Sequence, residues 1–96
     1  MIRDYSKIRL LWTKHAAAEV IEDRFNPREI EKNLNKVVEL PEFNEDKKRG
    51  IIKLGERYCT LIYKKKKHGL IIITCWESNP TDVSEYHRVL KMTKGG

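Results

Sequence analysis

Ninety-six residues, 40% hydrophobic and 35% charged, are enough for one small domain and too polar for a membrane-embedded chain. The longest apolar run, Leu70 to Ile73 extended through Thr74, Cys75 and Trp76, is about a third of a spanning helix. The start Met1-Ile2-Arg3-Asp4-Tyr5 mixes an acid with bases and lacks a leader's apolar stretch, so a cytoplasmic protein is expected.

The formal net charge of +6 is unevenly spread. Residues 1–18 carry four bases and one acid, 19–46 four bases and nine acids, 47–68 nine bases and one acid, and 69–96 three of each. An acidic first half and a basic second half predict an electropositive face turned to a polyanion.

Thr13 is a good N-cap, and Ala16, Ala17, Val20 and Ile21 recur at helical spacing after it, predicting a helix over about Lys14 to Arg24. Asn26 caps a second helix, with Pro27 at its first position and Glu29 three residues after the cap. The stripe Ile30, Leu34, Val37, Val38 predicts that this helix runs on to about residue 39. Pro41 stops it, and Asn44 to Arg49 reads as a polar loop.

From Gly50 the period changes to two. A short strand over Gly50 to Leu54, a turn at Gly55-Glu56 and a strand over Arg57 to Lys64 are expected, the last with Cys59, Leu61 and Tyr63 on one side. After a turn over Lys65 to Gly69, Leu70 to Trp76 is apolar on both faces, as a central strand would be. Thr81 or Asp82 is the expected N-cap of a short final helix over about 82–91 through Val83, Tyr86, Val89 and Leu90. The expected fold is a single α+β domain: a helical half (about 13–39), a sheet half (about 50–77) and a terminal helix. Two helices pack on a three-stranded antiparallel meander, to which Lys7 to Leu11 adds a fourth edge.

The chemistry offered is narrow. There is no GxGxxG, P-loop, HExxH, CxxC or serine elbow, so neither a cofactor nor a metal is expected. The hairpin sets Cys59 and Cys75 either directly opposite, where a disulfide could form, or diagonal as two buried thiols if the register moves. Lys64-Lys65-Lys66-Lys67-His68 gathers four ammonium groups at a hairpin tip, which a phosphate backbone would relieve. Lys53 and Arg57 add cations to the same sheet, while a solvated lysine-rich edge guard explains the run equally well. His15 shares the outer face of the first helix with Glu19 and Glu22, and Tyr86, His87 and Arg88 form a polar cluster on the last.

The segment Thr13-Lys14-His15-Ala16, followed by Arg24, Asn26-Pro27, Glu29-Ile30 and Leu34, resembles the opening of a small-domain family of uncertain function. Its helix begins His-Ala, and its layout is similar to that of the RelE and BrnT toxins of type II toxin-antitoxin systems. Gly55-Glu56-Arg57-Tyr58 and Leu70-Ile71-Ile72-Ile73-Thr74 look like the family's basic and hydrophobic strands, so the resemblance covers residues 12–77. It implies a RelE-like fold and a metal-free endoribonuclease acting on mRNA or on ribosomes, with an acidic antitoxin over the basic sheet. His15, Arg57 and a terminal-helix group, Tyr86 or His87, would then carry proton transfer and phosphate stabilisation. Two positions differ: Glu19 stands where the family has arginine, and Arg24 comes one residue late. The alternative is a non-catalytic module binding nucleic acid or protein with the same basic face, or a homodimer joined through a sheet edge.

Overall fold

Short strands rather than long helices dominate the chain. The computed structural model describes residues 2–40 and 46–94, in which six strands form one mixed sheet and three α-helices cover it. The strands are β1 (Ile2–Arg3), β2 (Arg9–Trp12), β3 (Val37–Glu39), β4 (Lys48–Leu54), β5 (Arg57–Lys66) and β6 (Gly69–Glu77). The helices are α1 (Lys14–Glu22), α2 (Pro27–Lys32) and α3 (Pro80–Lys94), with a 3-10 turn at Leu34–Lys36. The sheet order is β1-β3-β4-β5-β6-β2, antiparallel except that β2 runs parallel to β6.

The α+β class is as expected, but the architecture is not the RelE-like layout of two N-terminal helices on a three- to four-stranded antiparallel sheet with a short C-terminal helix. The second helix ends at Lys32, where Asn33 folds its side-chain amide back to donate to the Glu29 carbonyl at 2.7 Å. Val37 and Val38 then enter the sheet, pairing with Arg3 and Ile2 on one side while Val38 faces Ile51 on the other. Their branched Cβ atoms suit a pleated surface at least as well as a helix. The fourth edge exists as β2, joined to β6 in the register Arg9↔Gly69 to Trp12↔Ile72. The expected loop at Asn44–Arg49 lies partly outside the described residues, and its last two members begin β4.

The two faces of the sheet carry separate cores. Ala16, Val20, Phe25, Ile30 and Leu34 from the first helical segment meet Ile52, Cys59, Leu61, Tyr63, Leu70, Ile72 and Cys75. On the reverse face Tyr86 and Val89 of α3 meet Val38, Leu40 and Ile51. Strand alternation explains the division: Val37 and Ile52 point one way, Val38 and Ile51 the other.

Helix ends are set by local chemistry. The Thr13 hydroxyl accepts from the Ala16 N–H and also donates to the Ile72 carbonyl, so one residue caps α1 and ties it to β6. At its far end Phe25 N–H reaches the Val20 carbonyl and Arg24 N–H reaches that of Ile21, the paired bonds of a Schellman closure. Arg24 occupies the left-handed position with φ of 59°, which ends α1 at Glu22, short of the expected Arg24, and leaves Arg24 exposed. Asn79, not Thr81 or Asp82, caps α3, which runs from Pro80 to Lys94 and not over about 82–91: its side chain accepts from the Asp82 N–H at 2.8 Å, and Asp82 accepts from the Asn79 N–H at 3.2 Å.

Candidate nucleic-acid interface

Alternation along β5 divides the lysine run. Tyr63 belongs to the helix-covered core, so Lys65 shares its side, while Lys64 and Lys66 point to the reverse face. Lys65 lies over the Tyr5 ring, its Nζ 5.4 Å from the centroid. The turn residues Lys67 and His68 follow Lys66, and Gly69 pairs with Arg9 across the β6–β2 seam.

That pairing makes the site. Lys66, Lys67, His68 and Gly69 of the hairpin and Lys7, Ile8 and Arg9 of the approach to β2 line one cleft of about 280 Å³. No carboxylate lines it, and none of its four lysines and arginines forms an ion pair among the described residues. Asp4, the nearest acid in this loop, turns its carboxylate to the Ser6 hydroxyl and N–H at 2.6 and 2.9 Å. Those bonds, with a smaller pull from Lys7, hold its carboxyl below the ordinary range. Gly69 permits the close approach of the two segments, because a Cβ there would sit 2.5 Å from the Arg9 carbonyl oxygen. Composition alone had not singled out Lys7 and Arg9; the signal available was the period-two pattern Lys7-Ile8-Arg9-Leu10, which marks an edge strand with a charged side.

Beside the cleft lies a buried polar cluster. Glu39 accepts from the hydroxyls of Tyr5 and Tyr63 at 2.5 and 2.6 Å, and Arg3 reaches its other oxygen at 3.3 Å. Burial alone would push the Glu39 carboxyl up; the two hydroxyls, with Arg3 and Lys65, outweigh it and hold the group below the usual glutamate value. Burial and the carboxylate push Tyr5 up to about 12 and Tyr63 higher still.

The other candidate residues are spread around the molecule. His15 stands at the start of α1 with Nε2 3.2 Å from Glu19, whose same oxygen accepts from the Thr74 hydroxyl and the Cys75 N–H. Glu19 is thus a latch between α1 and β6. Arg57 works at the opposite end of α1: it donates to the Asp23 and Arg24 carbonyls at 2.6 and 3.0 Å, pairs with Glu77 at 2.9 Å and stacks 4.0 Å from the Phe25 ring centroid. About 12 Å of helix separates its partners from His15. Tyr86 and His87 lie on the reverse face with Tyr58, whose hydroxyl is 3.4 Å from His87 Nε2. Lys53 sits over the Tyr58 ring, seven residues from the Lys65 end of the neighbouring strand, or about 23 Å. The structure therefore joins Lys66, Lys67 and His68 with Lys7 and Arg9, and brings no two of His15, Arg57 and the Tyr86-His87 pair together.

Both cysteines are free and buried on one face, and they are diagonal. Ile73 is an extra residue in β6, so Cys59 faces Glu77 and Cys75 faces Leu61. The Cys75 thiol beside it, together with burial, pushes the Cys59 thiol up. Among the described residues no cluster of three or more His, Cys, Asp or Glu side chains could hold a metal, and no helix is long and apolar enough to cross a membrane. Comparison with known proteins places no relative beside this chain: no family model, curated protein or solved structure matches it.

Proposed function

We propose that the chain is a binding module that holds the phosphate backbone of nucleic acid in the Lys7–Arg9 and Lys66–Gly69 cleft and does not cut it. The observation that supports this reading is the convergence, from two separate segments, of four cations without carboxylate partners and one histidine. Four adjacent positive groups held in a concavity repel one another, and a chain of phosphates spaced a few ångströms apart relieves that repulsion while releasing its counterions. The absence of convergence among His15, Arg57, Tyr86 and His87 favours binding over the ribonuclease chemistry that the resemblance implies, because general acid-base catalysis needs its groups within hydrogen-bond reach of one phosphate.

Anisotropy of a labelled single-stranded RNA 20-mer, an RNA hairpin and a DNA duplex across 50 to 300 mM salt tests this. With about four phosphates neutralised, log K should fall with log salt at a slope of about −2.8 for single strands and about −3.6 for duplex. Lys66→Ala with Lys67→Ala should reduce the single-strand slope by about 1.4. Absence of binding at 50 mM salt would refute the reading, and cleavage of free or ribosome-bound RNA that His15→Ala or Arg57→Ala abolishes would return the weight to a nuclease.

A further inference from the structure

Among the described residues, helix covers only about half of the reverse face of the sheet. Six strands at about 4.8 Å spacing span roughly 24 Å, and one helix with its side chains covers about 10 Å. The opposite face carries both α1 and α2, but this one, among the described residues, carries α3 alone, packed on Val38, Leu40, Ile51 and Tyr58 of the β3–β5 side. At one end of β6 the first turn of α3 reaches this face, where the Trp76 Nε1–H donates to Asp82 at 2.8 Å; along the rest of the β6–β2 side the apolar residues pack into neither core among the described residues.

That uncovered half is apolar. Leu11, Ile62, Ile71 and Ile73 alternate with Leu10, Tyr63, Leu70 and Ile72, which join the other core, so the four turn to the reverse face. Leu11 is 39% exposed, the isoleucines are half-buried, and none of the four belongs to either core. They adjoin one another, since Leu11 pairs with Ile71, and Ile71 with Lys64. On the α3 side the strip is bounded by Arg49, which is held by Asp82 and Glu85 at 3.8 and 2.7 Å. Met92, 68% exposed, stands seven residues after Glu85 and so on the same flank of α3. At the hairpin end Arg9, Lys64 and Lys66 form a basic rim on this face.

We propose that this half-sheet is the docking groove of an amphipathic partner helix with acidic residues along one flank, lying beside α3 and completing the layer. The width fits one helix, the floor is aliphatic, and the rim is positive at one end. Charge complementarity selects this occupant over a second copy of the chain: parallel apposition of two such strips brings like-charged rims together, and antiparallel apposition sets each rim against a strip of Leu11, Ile62, Ile71 and Ile73 that supplies no acid, whereas an acidic helix meets the rim with opposite charge. The aliphatic floor selects it over unstacked bases, which take aromatic platforms.

The test is selection of a displayed library of 18-residue helices in which the apolar stripe and the flanking charges vary independently. Helices enriched on the wild-type protein should carry an i, i+3, i+4, i+7 aliphatic stripe with Glu or Asp on one flank. A synthetic copy should shift the amide resonances of Leu11, Ile62, Ile71 and Ile73. Ile71→Thr keeps the β-branched side chain a strand favours and Leu11→Thr introduces one; each should weaken the peptide at least about 10-fold with an unchanged circular dichroism spectrum, whereas Lys67→Ala should leave peptide affinity within about 2-fold while weakening RNA. Enrichment without acidic flanks, equal enrichment on the Leu11→Thr protein, shifts confined to the Lys7–Gly69 cleft, no enrichment at all, or a concentration-dependent dimer that Leu11→Thr dissolves would each overturn the proposal.

Discussion

Replacing Glu39 with glutamine keeps the shape of the Tyr5–Glu39–Tyr63 cluster and removes its charge, which isolates the electrostatic part of its worth. The carboxylate accepts two tyrosine hydroxyls at 2.5 and 2.6 Å and an arginine Nε at 3.3 Å. A hydrogen bond to a charged group contributes about 1.5–3 kcal/mol against about 1 for a neutral pair, so two such bonds made neutral cost about 2 kcal/mol, or about 10 °C in Tm for a domain of this size. The pH dependence follows from the depressed carboxyl. Its contribution is fully present above the unfolded value of 4.5 and disappears as pH falls through the lower folded value. The gap between wild type and Glu39→Gln should therefore be wide at pH 7 and narrow progressively below about 4.5. At the alkaline end the sign reverses: Tyr5 is raised from 10.0 to about 12, so its share is present below pH 10 and lost as pH climbs toward 12. Thermal melts followed by far-ultraviolet circular dichroism from pH 3 to 11 would measure both limbs. A gap that stays constant between pH 7 and 3, or no gap at all, would refute the assignment of a stabilising ionised Glu39.

Three further outcomes follow from backbone geometry. Gly69→Ala places a methyl 2.5 Å from the Arg9 carbonyl oxygen, so β2 must shift; a loss of about 2 kcal/mol and faster amide exchange over Arg9–Trp12 are expected, with RNA affinity falling as the cleft opens. Arg24→Gly relieves a left-handed arginine at φ 59° and should raise stability by about 0.5–1 kcal/mol in urea titrations. Arg57→Ala frees the Asp23 and Arg24 carbonyls and the face of Phe25; exchange at the end of α1 should quicken by about 10-fold, while RNA affinity changes less than about 2-fold because Arg57 does not line the cleft.

Local signals carried far in this chain, and non-local ones did not. Thr13, Asn26 with Pro27, and the period-two strands from Gly50 onward are legible because capping and alternation depend on neighbours within a few residues. Val37 and Val38 fit the helical stripe of Ile30 and Leu34, and only their pairing with Ile2 and Arg3, more than thirty residues away, shows that a strand wins. The parallel β2–β6 pair is equally hidden, since its partners are sixty residues apart and the tie is made by the Thr13 hydroxyl on the Ile72 carbonyl. Cys59 and Cys75 move from opposite to diagonal in two steps that no composition reveals: the turn at Lys67-His68 pairs Lys66 with Gly69, and the Ile73 bulge adds one more residue, so that Cys59 faces Glu77.

The lysine run shows how the same limit shapes a site. As a string, Lys64 to Lys67 is one block of charge; on a strand whose side chains alternate and whose end turns over, it becomes three environments. Lys65 goes to the Tyr5 ring beside Glu39, Lys64 to the rim of the apolar half-sheet, and Lys66 with Lys67 to the cleft shared with Lys7 and Arg9. Neutralising each should therefore read out differently: Lys65 in stability above about pH 4.5, an effect that fades as Glu39 is protonated at lower pH, Lys64 in peptide affinity, and Lys67 in the salt slope for RNA. If the run acted instead as an undivided patch, all three substitutions would lower RNA affinity alike and leave the other two measurements unmoved, so the single-lysine series separates a folded arrangement of cations from a merely basic tip.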